Sequence, residues 1–223
     1  MSLHKELSLQ YRLRPSSIEN PPLLLLVHGY GSNEDDLFSF APYMTDELLI
    51  VSVRAPYDMP PQGAAWYAID YTAAGGKFSD LNQARESMQL IEKFLNELKA
   101  HHNYNQDSVN ILGFSQGAIL SLAMSLNNPA LFKNVVAMSG YLNVDLVQAM
   151  DDVELRFRES KIKPNYFISH GSMDQVIPAD WARRTAPILK KLEVDQVYKE
   201  YAAGHGVAPD NFADMKSWLE ARL

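Results

Sequence analysis

The 223-residue chain contains no cysteine, which excludes a disulfide framework, a thiol nucleophile and a thiolate-held metal. Long apolar runs are missing too. The longest, Pro21 to Val27, is far shorter than the roughly 20 residues a helix needs to cross a bilayer, so no integral membrane segment is expected. The opening residues, Met1-Ser2-Leu3-His4-Lys5-Glu6, have no continuous apolar core of the kind a signal peptide needs, and a cytoplasmic location is the resulting expectation. Basic residues are in deficit, 20 Lys and Arg against 27 Asp and Glu for a net charge of −7. Nucleic-acid binding needs basic surface to displace counterions, so no such partner is expected. Internal repeats and low-complexity linkers are absent, and 12 prolines and 11 glycines are scattered as punctuation. With 47% hydrophobic content this length supports one substantial core, and residues 1–223 read as a single α/β domain. Composition leaves open whether copies associate into a homo-oligomer.

Apolar patterning supplies the elements. Glu6 to Arg14 alternates Leu7, Leu9, Tyr11 and Leu13 with polar residues, as a half-exposed strand near a sheet edge does. Leu23–Val27, Leu48–Val53, Val109–Leu112, Val135–Met138, Tyr166–Ile168 and Val197–Tyr201 are short apolar runs, most of them suited to strands buried on both faces of a parallel sheet. Helical stripes alternate with them. Leu81, Ala84, Met88, Ile91, Leu95 and Leu98 recur at three and four residues behind Ser79 as the expected N-cap. Trp181, Ile188 and Leu192 mark a second helix, and Phe212, Met215 and Leu219 a C-terminal one opened by Pro209. The alternation predicts a mostly parallel, doubly wound sheet with helices on both faces, whose chemistry gathers at the carboxyl ends of the strands.

Three polar clusters fall at those ends. Gly113-Phe114-Ser115-Gln116-Gly117 follows one apolar run and leads into the helical pattern Ala118 to Met124, so a serine sits on a glycine-flanked strand-to-helix turn. That turn is tight enough to exclude side-chain bulk two residues either side, and it projects the serine hydroxyl as a nucleophile. His170-Gly171-Ser172-Met173-Asp174 follows the Tyr166 strand, and Gly204-His205-Gly206 follows the Val197 strand. The order Ser115, Asp174, His205 suits nucleophilic catalysis: a neutral imidazole accepts the serine proton, and the carboxylate fixes the imidazole tautomer. His28-Gly29-Tyr30-Gly31-Ser32 follows the Leu23 strand, and the backbone N–H groups of Tyr30 and Gln116 are the expected oxyanion hole. A dinucleotide-binding reading of Gly29-Tyr30-Gly31 fails because Glu34 stands where the third glycine belongs. His28 and His170 read as supports for their loops. The pairs Asp35-Asp36, His101-His102 and Asp151-Asp152 lack metal-ligand spacing, so neither metal nor cofactor is expected.

Together these segments, with Arg54-Ala55-Pro56, Ala65-Trp66-Tyr67 and Met138-Ser139-Gly140-Tyr141-Leu142, resemble the phospholipase/carboxylesterase family of α/β-hydrolases over most of the chain. The family includes bacterial carboxylesterases and acyl-protein thioesterases. The resemblance implies an α/β-hydrolase fold and hydrolysis of carboxylic esters or thioesters through an acyl-enzyme on Ser115, with a small ester or lipid-like substrate. It places Met59, Trp66, Tyr67, Phe78 and Leu142 over the nucleophile as an apolar pocket for short to medium acyl groups. Of the cations nearby, Arg54 and Lys77 are isolated. Two departures, Ala118 in place of a second glycine after the nucleophile and Gly206 in place of the serine common in thioesterases, weigh toward carboxylesterase action. Acyl-protein thioesterase or lysophospholipase action is the alternative. Peptidase or lactonase action on the same machinery, and a non-catalytic binding role for the fold, are the remaining readings.

Overall fold

The computed structural model describes residues 2–70 and 78–223, with Phe78 described by its backbone alone. Residues 71–77, Lys77 among them, lie outside the described residues. In chain order the strands are β1 (Tyr11–Arg14), β2 (Pro22–Val27), β3 (Leu49–Val53), β4 (Tyr57–Met59), β5 (Gly63–Ala65), β6 (Ile69–Asp70), β7 (Phe78–Ser79), β8 (Asn105–Phe114), β9 (Asn134–Met138), β10 (Asn165–Gly171) and β11 (Gln196–Tyr201). The helices are α1 (Leu81–His101), α2 (Gln116–Asn127), α3 (Val153–Glu159), α4 (Ala179–Arg183), α5 (Thr185–Lys191) and α6 (Pro209–Glu220). Seven strands form one sheet in the order β1-β3-β2-β8-β9-β10-β11, parallel except for β1, which pairs antiparallel with β3 at one edge. The hairpins β4–β5 and β6–β7 are separate two-stranded pieces.

Strand alternation distributes the core. Leu23, Leu25 and Val27 of β2 pack with α1, α2, α3 and α5 on one face, while Leu24 and Leu26 pack with α6 and the 3-10 turn Leu37–Tyr43 on the other. Helix α2 is buried from Gln116 through Leu126, as expected of a helix apolar all round. Three asparagines run side by side across the parallel strands β8, β9 and β10, Asn134 and Asn165 as the first residues of β9 and β10 and Asn110 in mid-β8. Asn134 donates to Asn110 Oδ1 at 2.7 Å, Asn165 donates to Asn134 Oδ1 at 2.9 Å, and Asn110 donates to the Leu23 carbonyl at 2.9 Å.

Two helical expectations need correction. Asp80, not Ser79, caps α1: its carboxylate accepts from the N–H groups of Asn82 and Gln83, while Ser79 pairs with Ile69 in the β6–β7 hairpin. The predicted helix through Trp181 and Leu192 is two helices, α4 and α5, meeting at Arg184. Pro187 lacks the N–H that would bond the Arg183 carbonyl, which ends a continuous ladder there.

The sheet reverses its winding between β2 and β8: from β2 the chain moves outward to β3, then crosses to β8 on the opposite side. The carboxyl ends of these two strands carry the Tyr30 loop and Ser115. In doubly wound sheets the crevice at such a reversal is where ligands bind.

Candidate active site

Ser115 is held in a backbone conformation that side chains rarely adopt, φ 53° and ψ −114°, between the end of β8 and the start of α2. Its flanks explain the glycines. A Cβ on Gly117 would lie 1.9 Å from the Val27 carbonyl oxygen, and one on Gly113 would lie 2.4 Å from the Gly117 carbonyl. The Ser115 N–H is tied to the Met138 carbonyl at 2.9 Å, which fixes the turn against β9. Ala118 is accommodated because its methyl faces Gly140, where an added Cβ would come within 2.6 Å of it.

The loops after β10 and β11 bring Asp174 and His205 to this serine. His205 Nε2 lies 3.0 Å from Ser115 Oγ, and His205 Nδ1 lies 2.7 Å from Asp174 Oδ2. With the imidazole neutral and its proton on Nδ1, Nδ1–H donates to the carboxylate and Nε2 accepts a hydrogen bond from the serine hydroxyl. Phe114 packs against the imidazole with ring centroids 5.1 Å apart. Asp174 Oδ1 accepts from the N–H groups of Val176 and Ile177, at 2.8 and 2.9 Å. Burial pushes this carboxyl's pKa up, but the His205 hydrogen bond and the two backbone donors outweigh burial and hold it below the ordinary aspartate range.

His28 and His170 do not reach the serine. His170 is buried beneath Asp174; its Nε2–H donates to the Ile177 carbonyl at 2.9 Å and lies 3.2 Å from Asp174 Oδ2. His28 Nδ1–H donates to the Gly29 carbonyl at 2.7 Å, and its Nε2 accepts the Ala55 N–H at 3.0 Å. Burial lowers its pKa to about 4. Beside it, Trp66 Nε1 donates to the His28 carbonyl at 2.9 Å.

The Tyr30 loop is built against the β4–β5 hairpin. Gly31, at φ 74°, donates to the Ala64 carbonyl at 2.9 Å, and Ala64 donates back to Ser32 at 2.7 Å. The N–H groups of Tyr30 and Gln116 have no acceptor among the described residues. Gln116 is the first residue of α2, where helix geometry leaves N–H groups unpaired and the helix dipole favours negative charge. Its side chain clamps the neighbouring segment, accepting from Trp66 N–H at 3.0 Å and donating to the Tyr67 carbonyl at 2.7 Å.

A cleft of about 210 Å³ opens above Ser115 and His205, walled by Tyr30, Tyr67, Ile69, Phe114, Ile119, Tyr141, Val176, Ile177 and Trp181. A groove of about 530 Å³ adjoins it, sharing Ser79, Tyr141 and Trp181. Of the five residues expected to line the pocket, Tyr67 does so. Leu142 lines the adjoining groove instead. Trp66 is fully buried with its indole donating to the His28 carbonyl, while Tyr67, next to it in the bend after β5, takes the cleft side. Met59, in β4, lines neither space, since that hairpin braces the Tyr30 loop from behind. The Phe78 side chain lies outside the described residues. Sequence reasoning missed Ile69, Phe114, Ile119, Tyr141, Val176, Ile177 and Trp181 as cleft walls, although five of these lie within five residues of Ser115, Asp174 or Leu142. Arg54 is paired with Glu34 and Asp58 rather than isolated. Among the described residues no group of three or more His, Asp or Glu is placed to hold a metal ion, and no helix is long and apolar enough to cross a membrane.

A serine on a strained turn, a histidine on the serine and a buried carboxylate on the histidine, at the winding reversal of a parallel sheet, define a serine hydrolase of the α/β-hydrolase fold. The model of the phospholipase/carboxylesterase family matches residues 13–223, and the chain belongs to that family, whose members hydrolyse carboxylic esters. Acyl-protein thioesterase 1 of Gibberella zeae is 22% identical over 230 residues, covering 94% of each chain. The structure is similar to that of esterase PE8, 26% identical with a TM-score of 0.81 over 96% of this chain and 99% of that one. A carboxylesterase from Mesorhizobium loti, 22% identical, also gives a TM-score of 0.81, over 98% of both chains.

Proposed function

We infer that Ser115, Asp174 and His205 form the catalytic triad of an ester hydrolase that works through an acyl-enzyme. The observation that carries this reading is the unbroken chain Ser115 Oγ to His205 Nε2 at 3.0 Å and His205 Nδ1 to Asp174 Oδ2 at 2.7 Å. His205 takes the serine proton as the hydroxyl attacks the ester carbonyl, then returns it to the departing alcohol. Water repeats the sequence to release the acid. The Tyr30 and Gln116 N–H groups receive the negative charge on the carbonyl oxygen, so stabilisation of the tetrahedral intermediate uses backbone donors. The small, mostly apolar cleft favours short to medium acyl chains, at roughly 0.8 kcal/mol for each buried methylene. Proteins named acyl-protein thioesterase recur among the relatives and keep thioester cleavage as the second reading. The space around Gly206 is open, so sterics alone would admit the serine common at that position in thioesterases.

A fluorophosphonate should add once per chain, at Ser115, and Ser115→Ala should cut turnover of an aryl ester by on the order of 10⁴ to 10⁶ without loss of fold. Labelling at another serine overturns the triad. An acyl chain-length series run in parallel as oxygen esters and thioesters decides between the two substrate classes by the ratio of kcat/KM.

A further inference from the structure

Glu34, the residue that denies the glycine loop a dinucleotide reading, has a side chain only 6% exposed. Its partner is Arg54, the residue after β3, with a side chain 16% exposed. One guanidinium nitrogen of Arg54 donates to Glu34 Oε2 at 3.1 Å and to the Gln62 carbonyl at 3.2 Å. The other donates to Asp58 Oδ1 at 2.9 Å and to the Gly63 carbonyl at 3.1 Å. A planar guanidinium with donors in a fixed fork thus joins the loop after β2 to both strands and the turn of the β4–β5 hairpin. The hairpin in turn grips the Tyr30 loop through Ala64, whose carbonyl accepts the Gly31 N–H and whose N–H donates to the Ser32 carbonyl. Contact there is so close that a Cβ on Gly63 would lie 2.2 Å from the Gly31 carbonyl oxygen. Gly31 directly follows Tyr30, so the peptide gripped by the hairpin adjoins the one carrying the Tyr30 N–H. Arg54 does not line the cleft.

We propose that Arg54, anchored on buried Glu34, is a positioning residue for the oxyanion hole, holding the β4–β5 hairpin against Gly31 and thereby aiming the Tyr30 N–H. This rests on the assignment of Tyr30 as an oxyanion donor. An oxyanion donor works only within a narrow range of distance and direction from the developing charge, and loss of one donor costs on the order of 10² to 10³ in kcat. A loosened clamp costs part of that. Substrate ground-state binding and His205 are untouched by it.

The test uses Arg54→Lys, which keeps a charge beside Glu34 but cannot serve all four acceptors in one plane, and Gly63→Ala, which perturbs the same contact without unpairing a buried charge. Both should lower kcat on an aryl ester by on the order of 10-fold to 100-fold, with KM within about twofold of the parent. Affinity for a trifluoromethyl ketone, which forms a tetrahedral oxyanion on the serine, should fall by the same factor, while the acid limb of the kcat/KM pH profile stays in place. Arg54→Ala should regain part of its kcat when guanidinium ion is added. Folded variants that keep kcat and ketone affinity overturn the clamp, as does a loss confined to KM or accompanied by a shifted pH limb. A parent enzyme that binds the ketone no more tightly than its ester overturns the oxyanion assignment itself, and the clamp with it.

Discussion

Acid should weaken this protein through His28, over a window that opens well above the pH at which ordinary carboxylates titrate. The imidazole is fully buried, and its two nitrogens are committed in opposite senses, Nδ1–H donating to the Gly29 carbonyl and Nε2 accepting the Ala55 N–H. Protonation would turn the acceptor into a second donor facing an N–H. Burial lowers the folded-state pKa from 6.5 to about 4. Above pH 6.5 both folded and unfolded chains hold this histidine neutral, and its contribution to stability is intact. As pH falls from 6.5 toward 4 the unfolded chain takes up a proton that the folded chain refuses, so stability is lost across that window. At about 1.4 kcal/mol per pKa unit the loss amounts to roughly 3 kcal/mol. For a chain of this size that is on the order of 10 °C in midpoint temperature. Urea unfolding of the parent and of His28→Asn, followed from pH 7.5 to 4.5, measures it. His28→Asn should be weaker at pH 7.5 yet decline less steeply with acid, because only the substituted group has been removed from the titration. Parallel pH curves for the two proteins would refute the argument.

Other expectations follow from the site. Asp174→Asn should leave the fold standing and lower kcat on an aryl ester by on the order of 10³ to 10⁴, because the amide no longer selects the imidazole tautomer that can accept from Ser115; a tenfold loss or less would mean that His205 is oriented by something else. The stability that Asp174 draws from its lowered pKa is present above the ordinary aspartate range and should disappear as pH falls through the lowered value, in a step more acidic than that of His28. Trp181 stands between the 210 Å³ cleft and the 530 Å³ groove, so Trp181→Ala should shift the acyl-length optimum toward longer chains. At about 0.8 kcal/mol per methylene, kcat/KM should rise a few-fold for each carbon beyond the parent's optimum; an unchanged optimum would show that the groove does not receive the acyl arm.

The sequence makes the strand cores legible because both faces of a parallel sheet are buried, leaving runs such as Leu23–Val27 unbroken. It conceals the polar beginning of β8, Asn105-Gln106-Asp107-Ser108, of which Gln106 and Asp107 are exposed while Ser108 is already buried. The two- and three-residue hairpin strands are too short for any period to register, and Pro187 divides α4 from α5 inside an otherwise helical pattern. Ser115, Asp174 and His205 could be picked out because each stands just beyond an apolar run, and all three are brought together. The cleft walls were harder to read. Choosing Leu142 over Tyr141, or Trp66 alongside Tyr67, depends on which of two adjacent side chains turns toward the opening. That is set by packing against α5 and against the His28 carbonyl, neither of which is adjacent in sequence.

The asparagine row bears on how the chain finds its strand alignment. Strands made of Leu, Ile and Val throughout would be nearly as content two residues out of step, since a shift by two keeps every side chain on its original face. Asn110, Asn134 and Asn165 remove that degeneracy: Asn134 lies opposite Asn110, each amide is linked to its neighbour's, and Asn110 and Asn134 are fully buried. A slipped sheet would strand those amides in hydrocarbon, at roughly 1–3 kcal/mol for each unpaired group. The row therefore acts as a proofreading device for assembly, at the end of the sheet opposite Ser115. Replacing all three with valine or leucine should cost little in the stability of correctly folded molecules while lowering the fraction that reaches that state, as recovery after refolding from urea would measure.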